Sequence, residues 1–232
     1  MDSTSQLSAA AESSVSLPSS IPPVGLSVPC PFRVVAEGAA PSDLTPSARA
    51  DWLTWGTRTI LECTNAFIWD PTTRRALLGW KKRGFGMDLY NGFGGKKDPG
   101  ESINDAALRE LQEECGIRAS LKHAGILLFI VGETLVFEVH IYAATSWEDE
   151  PRETDEMRPE WFSIDEIPYD KMWPDDPFWL PLLYQDRPFI GRADFATPDP
   201  TKGERFAGKM LRWWFAELEP ASASQASVLP PS

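Results

Sequence analysis

The segment at 95–117, GKKDPGESINDAALRELQEECGI, constrains the fold more than any other part of the sequence. Ser102 can cap the start of a helix, with Asp105 three residues later as its capping-box partner. Gly116 is placed to end that helix. Four apolar side chains recur at helical spacing and should face a core. They are Ala107, Leu108, Leu111 and Cys115. The segment therefore predicts an amphipathic helix over 102–115.

A second face of this predicted helix is acidic. Glu110, Glu113 and Glu114 stand at positions i, i+3 and i+4, so their carboxylates share one side. Three neighbouring carboxylates repel one another, and a hard divalent cation with oxygen ligands would offset that cost. A charged helix face is, however, usually just solvated. The three glutamates alone leave both interpretations open.

The spacing of the whole segment distinguishes the two interpretations. Five residues separate Gly95 from Glu101, and seven more separate Glu101 from the run REL at 109–111. One residue then precedes the pair EE at 113–114, and one more precedes GI at 116–117. This pattern resembles the Nudix box, GX5EX7REUXEEXGU with U aliphatic, at every defined position. The resemblance implies a Nudix hydrolase, an enzyme that cleaves the pyrophosphate linkage of a nucleoside diphosphate derivative. It also implies an α/β/α sandwich with a mixed sheet and a loop–helix–loop catalytic motif.

The resemblance assigns roles to the residues of the box. The implied metal-site residues are Gly94, Glu110, Glu113 and Glu114, and the three glutamates are also catalytic carboxylates. The implied structural residues are Gly95, Glu101, Arg109 and Gly116, with an ion pair between Arg109 and Glu101 that orients the helix. Mg²⁺ is the expected cofactor, with Mn²⁺ as a substitute, because it screens phosphate oxygens and acidifies a bound water. Which glutamate takes the proton from the attacking water stays open.

Two further stretches, 77–96 and 154–185, resemble one branch of the family. Their words KKRGFG (81–86), NGFGGK (91–96), DEMRP (155–159) and MWPDD (172–176) occur in the eukaryotic MutT homologues. Those enzymes hydrolyse oxidised purine nucleoside triphosphates, such as 8-oxo-dGTP and 2-hydroxy-dATP, to the monophosphate and pyrophosphate, and so sanitise the nucleotide pool. The resemblance covers residues 60–218 and implies a small-molecule nucleotide substrate for this chain.

The same resemblance implies a set of substrate-binding residues. They are Asn91, Asp175, Asp176, Trp173, Phe85, Thr64 and Lys81. Asn91 would hydrogen-bond the purine edge, and the two aspartates would read the base. Trp173 would stack on the base, with Phe85 as the opposite wall of the pocket. Two adjacent aspartates repel, so one of them can be protonated and become a donor. Alternatively, the aspartates cap the helix that follows them.

Two further positions come from this resemblance. Glu156 resembles a glutamate outside the box that assists the catalytic site. The pocket aromatic of the 125–133 segment maps ambiguously to Leu128 or Phe129, because this segment is one residue shorter here than in the family.

The rest of the chain predicts an α+β domain over 58–219. Strands are expected at 60–69, 76–80, 125–131, 134–144, 160–164 and 209–218, and a second helix within 178–185. Residues 1–42 and 221–232 are rich in Ser, Ala and Pro, so we expect a disordered extension at each end.

Composition limits the partners. The net charge is −12, which argues against duplex nucleic acid and against an RNA-cap substrate. No apolar run reaches membrane-spanning length, so no membrane partner is expected. The three cysteines form no CxxC pair, which favours reduced thiols in the cytoplasm, with the nucleus or mitochondrion as alternatives. We expect a monomer.

Two other functions stay open. One is a Nudix pyrophosphatase for another substrate, such as ADP-ribose or a dinucleotide polyphosphate. The other is a catalytically silent Nudix-fold binding module, which the complete set of box carboxylates opposes.

Overall fold

The computed structural model describes residues 32–39, 59–132 and 135–218. Within these ranges the chain forms eleven strands and two α-helices. The strands are β1 (Phe32–Ala39), β2 (Thr59–Asp70), β3 (Arg75–Lys81), β4 (Tyr90–Asn91), β5 (Arg118–Ala119), β6 (Lys122–Val131), β7 (Leu135–Ala144), β8 (Trp147–Glu148), β9 (Met157–Ser163), β10 (Phe189–Phe195) and β11 (Met210–Leu218). The helices are α1 (Ile103–Cys115) and α2 (Asp176–Leu183).

Nine strands form one mixed sheet. Its order is β1-β11-β10-β6-β7-β2-β3-β4, and β9 pairs with the edge of β3 opposite to β4. The pairs β2 with β7 and β10 with β6 are parallel, whereas the other pairs in this sheet are antiparallel. The remaining strands, β5 and β8, pair with each other. The predicted mixed sheet is therefore confirmed.

The two helices cover opposite faces of the sheet. Leu111 on α1 packs with Ala66 and Ile68 of β2, whereas Trp179 on α2 packs with Phe67. Successive side chains of a strand point to opposite faces, so the alternation along β2 places α1 and α2 on either side. The result is the α/β/α arrangement that the sequence predicts.

Helix α1 begins and ends as its sequence indicates. The Ser102 hydroxyl accepts from the backbone N–H of Asp105 at 3.1 Å and donates to the Asp105 carboxylate at 2.7 Å. Gly116 ends the helix at φ +78°, a left-handed conformation that favours glycine, and its N–H donates to the Gln112 carbonyl. These caps fix the length of the helix and the direction of its acidic face.

The loop before α1 is attached to β2. Backbone hydrogen bonds join Ala66 and Phe93 in both directions, and the N–H of Thr64 donates to the carbonyl of Gly95. A Cβ at Gly94 would lie 2.0 Å from the carbonyl oxygen of Thr64, so only glycine permits this approach. The glycine loop is therefore held against the sheet, beside the acidic face of α1.

Strand β1 corrects one expectation. Phe32–Ala39 lies inside the predicted disordered segment 1–42, yet it pairs antiparallel with β11 at the edge of the sheet. The segment FRVVAEGA contributes backbone pairing that a composition argument overlooks. The other residues of 1–42, and 221–232, lie outside the described residues. Within the described ranges, no helix is both long and apolar enough to cross a membrane.

Candidate active site

One large cavity lies between the sheet, the glycine loop and the start of α2. Its volume is about 570 Å³. Its lining includes an ionic group, Glu110, Glu156 and Lys81, which is called the acidic end below, and a second group, Asp175 and Asp176, which is called the polar end. Much of the remaining lining consists of apolar side chains of β6 and β7. A cavity with these two polar groups and apolar walls suits a ligand of mixed chemistry.

Glu114 is the most deeply buried carboxylate of α1, at 3% exposure. Its Oε1 accepts from Lys81 Nζ at 2.6 Å and its Oε2 from the N–H of Gly94 at 2.8 Å. Burial raises the pKa of Glu114 to about 7, although Lys81 and the Gly94 N–H both favour the charged form. Glu114 thus joins the helix, the glycine loop and β3 at one point.

Arg109 organises the remaining carboxylates of the box. It forms two hydrogen bonds to Glu101, at 2.9 and 3.1 Å, so the predicted pair is present. It also contacts Glu110 at 2.8 Å and Glu113 at 3.2 Å. Burial raises the pKa of Glu110, whose carboxylate lies against Gly95 where a Cβ would be only 2.5 Å away.

Glu113 differs from the other glutamates of the helix. Its side chain is 60% exposed, whereas that of Glu114 is buried against Lys81. Glu156 reaches the acidic end from the segment before β9, where Lys81 Nζ lies 2.6 Å from its Oε1. Its Oε2 accepts from Arg83 at 3.0 Å. The structure therefore brings Glu110, Glu114 and Glu156 together and leaves Glu113 at the rim.

The acidic end has the chemistry of a site for a hard cation. The described residues contain no set of three or more His, Cys, Asp or Glu side chains already arranged around a single point. Lys81 Nζ, however, lies between carboxylate oxygens of Glu114 and Glu156 at 2.6 Å from each. The carboxylate oxygens of Glu114 and Glu156 thus already bind the positive charge of Lys81. Carboxylate oxygens are also the ligands that Mg²⁺ prefers. The donor set therefore fits a divalent cation.

Asp175 and Asp176 form the polar end of the cavity, each 2% exposed. Asp175 accepts from the indole N–H of Trp179 at 2.9 Å, and Asp176 from the backbone N–H of Trp173 at 3.0 Å. Asp175 stands at the N-cap position of α2 without a side-chain capping bond, so capping does not explain it. Burial raises the pKa of Asp175, and burial together with the charge of Asp175 raises the pKa of Asp176.

Asn91 on β4 lies beside a second amide, Asn65 on β2. Asn65 Nδ2 donates to Asn91 Oδ1 at 2.7 Å, and both side chains border the cavity. Sequence reasoning overlooked Asn65. Its signal is a polar amide within the otherwise apolar run NAFIW of a central strand.

An aromatic cluster forms the cavity mouth and corrects the expected pocket geometry. Phe85 and Trp173 stack directly, with ring centroids 5.3 Å apart and planes inclined by 21°. No space for a base separates them, so they do not act as opposite walls. Phe206, which sequence reasoning also overlooked, lies 5.0 Å from the Phe85 ring, and Phe137 lies 5.4 Å from it. Phe85 nevertheless remains 52% exposed.

Strand alternation distinguishes Leu128 from Phe129 and indicates the direction of the Thr64 side chain. Phe129 borders the cavity, whereas Leu128 is buried in a cluster on the opposite face of β6. The aromatic at this position is therefore Phe129. Thr64 also borders the cavity, but its neighbours Cys63 and Asn65 occupy the cavity face of β2. By this alternation, the side chain of Thr64 points to the α1 face.

Comparison with known proteins agrees with this geometry. The sequence model of the NUDIX domain matches residues 62–183, which is more than half of the chain. The chain belongs to the Nudix family. Its capped helix, glycine loop and Arg109–Glu101 pair are the parts that carry the Nudix box, and the Nudix hydrolase predicted from the sequence is confirmed.

Two relatives place this Nudix hydrolase more closely. The oxidized purine nucleoside triphosphate hydrolase of Danio rerio is 50% identical over 127 residues, which cover 54% of this chain and 81% of that protein. The enzyme of the same name from Mus musculus is 47% identical over 128 residues, which cover 54% and 82%. The crystal structure of a MutT protein from Bacillus halodurans superposes with a TM-score of 0.54 at 24% identity. It covers 69% of this chain and 99% of that one and supports the fold.

Proposed function

We propose that this Nudix hydrolase converts oxidised purine nucleoside triphosphates, such as 8-oxo-dGTP and 2-hydroxy-dATP, to monophosphate and pyrophosphate, and so sanitises the nucleotide pool. The observation that supports this most is the pair of buried aspartates, Asp175 and Asp176, which line the same cavity as Glu110 of the box. One end of the cavity suits a triphosphate with its cation, and the other suits a base. The names of the two relatives support the same substrate class.

We assign the metal to the acidic end. Nudix hydrolases use divalent metal ions, and we propose Mg²⁺, with Mn²⁺ as a substitute. Glu110, Glu114 and Glu156 supply carboxylate oxygens there, and Gly94 places its backbone beside Glu114. Glu113 is exposed in this structure, so we assign it a supporting role through Arg109. When bound, the metal screens the phosphate oxygens and lowers the pKa of a coordinated water.

Side chains of the protein then orient the carboxylates of the helix and take a proton from the attacking water. Arg109 holds Glu110 through a 2.8 Å hydrogen bond and is itself fixed by Glu101, so the helix presents its carboxylates in one direction. A carboxylate of the acidic end takes the proton of the attacking water, and the candidates are Glu114 and Glu156, which both contact Lys81. Lys81, held between these two, supplies positive charge where charge builds on the phosphate.

The aspartate pair supplies selectivity for the base. Burial raises the pKa of both carboxyl groups, so a proton is retained more strongly than on an exposed aspartate. A protonated aspartate donates and an ionised one accepts, so the pair can match bases whose edges differ in donor and acceptor. Asn91 and the indole of Trp173 then hold the base by hydrogen bonding and stacking.

A substrate panel tests this function. We expect kcat/KM for 8-oxo-dGTP and 2-hydroxy-dATP to exceed that for dGTP, ADP-ribose and a dinucleotide tetraphosphate. Chromatography should identify monophosphate and pyrophosphate as products. EDTA should abolish turnover, and Mg²⁺ or Mn²⁺ should restore it. A preference for ADP-ribose over every oxidised purine would retain the Nudix hydrolase and reject the substrate. Turnover in EDTA would reject the metal assignment.

Three broader features belong to the same proposal. We also propose that the enzyme acts as a monomer. Cys63 and Cys115 are free buried thiols, which suits a reducing compartment such as the cytoplasm. We also extend the proposed domain of 58–219 to include β1, because that strand pairs with β11.

A further inference from the structure

Asn65 and Asn91 form a directed pair at the cavity wall. Asn65 Nδ2 donates to Asn91 Oδ1 at 2.7 Å. The backbone N–H of Gly92 donates to the same Oδ1 at 2.8 Å. Asn65 is 9% exposed, and among the described residues its Oδ1 has no hydrogen-bond partner. Among the described residues, the hydrogen bond to Asn91 is therefore the one side-chain hydrogen bond that Asn65 makes.

The backbone of Gly92 fixes the direction of both amides. The nitrogen and oxygen of a carboxamide are distinguished by their partners. The N–H of Gly92 can only donate, so the atom of Asn91 that faces it is the oxygen. The atom of Asn65 that faces this same oxygen must also be a donor, which is Nδ2. Both acceptor positions of Asn91 Oδ1 are thus occupied, and its Nδ2 is the group left for a ligand.

We propose that Asn65 is a positioning residue that holds Asn91 as a hydrogen-bond donor toward the base. The enzyme then favours purines that present an acceptor at this edge, either a carbonyl oxygen or an unprotonated ring nitrogen. An exocyclic amino group at the same place would meet another donor. This inference rests on the proposed function, since it takes the cavity to hold a purine.

Recognition of the base is divided between the two aspartates and Asn91. Asp175 and Asp176 can donate or accept according to their protonation, so they tolerate more than one edge. Asn91 cannot adapt in this way while Asn65 and Gly92 occupy its oxygen. Loss of Asn65 should therefore change selectivity between substrates, in addition to affinity.

The orientation can be measured without turnover. The chain contains only three asparagines, Asn65, Asn91 and Asn104. Full-length protein labelled with ¹⁵N-asparagine, in Mg²⁺, should therefore give three side-chain NH₂ pairs, which Asn65→Leu, Asn91→Asp and Asn104→Leu assign. We expect Asn65→Leu to shift the Asn91 pair. Asn104→Leu makes the same change on the exposed face of α1 and should leave that pair in place. Adding the product 8-oxo-dGMP should shift the Asn91 pair of the wild type.

Kinetics test the consequence for selectivity. Asn65→Leu should raise KM for 8-oxo-dGTP about tenfold and change kcat less than twofold, as expected for one lost positioning hydrogen bond. Asn65→Asp keeps the shape, but its ionised carboxylate cannot donate, so Asn91 should turn its oxygen toward the cavity. The comparison uses two substrate pairs, 8-oxo-dGTP with 8-oxo-dATP and 2-hydroxy-dATP with dATP. Asn65→Asp should change the kcat/KM ratio of at least one pair by about tenfold.

The outcomes separate this inference from the proposed function. An unmoved Asn91 signal in Asn65→Leu, or unchanged ratios in Asn65→Asp for both pairs, would overturn the role of Asn65. If Asn65→Leu does not fold, Asn65→Asp provides the same NMR and kinetic comparisons. A wild-type enzyme without preference for oxidised purines would reject the proposed function instead, while the ligand-free NMR comparison would still decide whether Asn65 orients Asn91.

Discussion

The ammonium nitrogen of Lys81 lies 2.6 Å from Oε1 of Glu114, and both side chains are buried. Burial by itself lowers the pKa of Lys81, but the charges of Glu114 and Glu156 outweigh it and raise that pKa above its ordinary value. Lys81 is the last residue of β3, and Glu114 lies in the last turn of α1. Their contact therefore ties the catalytic helix to the sheet at the acidic end of the cavity.

Replacing Lys81 tests how much this pair stabilises the fold. Lys81→Met leaves the carboxylate of Glu114 buried without its cation, so we expect a loss of about 3 kcal/mol in the free energy of unfolding. The neighbouring Lys82→Met removes an exposed pair with Glu153 and should cost less than about 1 kcal/mol. Urea unfolding in EDTA measures both. Equal losses in the two variants would contradict a special role for the buried pair.

Glu114→Gln separates catalysis from folding. The amide retains an oxygen that can accept from Gly94 but loses the negative charge, so the fold should survive while the cation and the reacting water lose a partner. We expect kcat/KM to fall by about a hundredfold or more, with a circular dichroism spectrum like that of the wild type. Glu166→Gln, an exposed change outside the cavity, is the control and should retain full activity.

The chemistry of the site could be predicted from the sequence because its residues stand at fixed distances from one another along the chain. The capped helix, the Arg109–Glu101 pair and the glycine loop all follow from local offsets within 95–117. Contacts between distant segments could not be predicted in this way. The pairing of Asn65 with Asn91 depends on how the loop before α1 lies along β2, which no local pattern specifies.

The same distinction explains the fold. Strands that are rich in apolar, β-branched and aromatic residues, such as β2 and β7, were predictable from the sequence pattern. Strand β10 was not, because its sequence FIGRADF carries Arg192 and Asp194, yet all of it is buried. Those two side chains form a buried ion pair at 2.8 Å, and Arg212 of β11 lies 2.9 Å from the same aspartate. Arg192 and Asp194 share one face of β10, and the pairing of β10 with β11 adds Arg212 to them.

Replacing Trp173 and replacing Asp175 should have different effects on substrate selectivity. Trp173→Ala removes an indole that can stack on any base. The value of kcat/KM should therefore fall for all purine substrates, by a factor that corresponds to about 1–3 kcal/mol. Asp175→Asn removes a group that can change protonation, so the ratios among 8-oxo-dGTP, 2-hydroxy-dATP and dGTP should change. Trp147→Ala removes a half-buried indole outside the cavity and serves as the control. A uniform loss in Asp175→Asn would show that this aspartate does not read the base.

The buried aspartates should make stability depend on pH. Because burial raises the pKa of Asp176 above the value of an unfolded chain, the folded state binds its proton more tightly. The associated stability is therefore complete below the ordinary aspartate pKa and is lost as pH rises through the raised value, with a slope of up to about 1.4 kcal/mol per pH unit for one proton. Asp176→Asn removes this loss. Urea unfolding at pH 5 and pH 8 should show the variant gaining on the wild type at the higher pH, whereas exposed Asp170→Asn should not. A constant difference at both values would contradict the assignment.

Two truncations should separate strand β1 from the segment that precedes it. Removing residues 1–31 leaves β1 intact, and that Ser- and Pro-rich composition predicts no contribution to a core, so stability and turnover should match those of the full chain. Removing residues 1–39 takes β1 away. Strand β11 then becomes the edge of the sheet, with unpaired backbone groups that favour aggregation.

The longer truncation also breaks specific contacts. Gly38 lies against the indole of Trp213 so closely that a Cβ there would clash, and Arg33 forms an ion pair with the fully buried Glu217. Arg187 remains as a second partner of Glu217, so the loss should be partial. We expect Tm to fall by several degrees, since each kcal/mol moves Tm by about 2–4 °C at this size. Because β1 does not border the cavity, kcat should change less than twofold at a temperature well below Tm. Calorimetry and steady-state kinetics on both truncations measure these effects. An unchanged Tm after removal of 1–39 would show that β1 does not stabilise the domain, and a large fall in kcat would show that it reaches the active site.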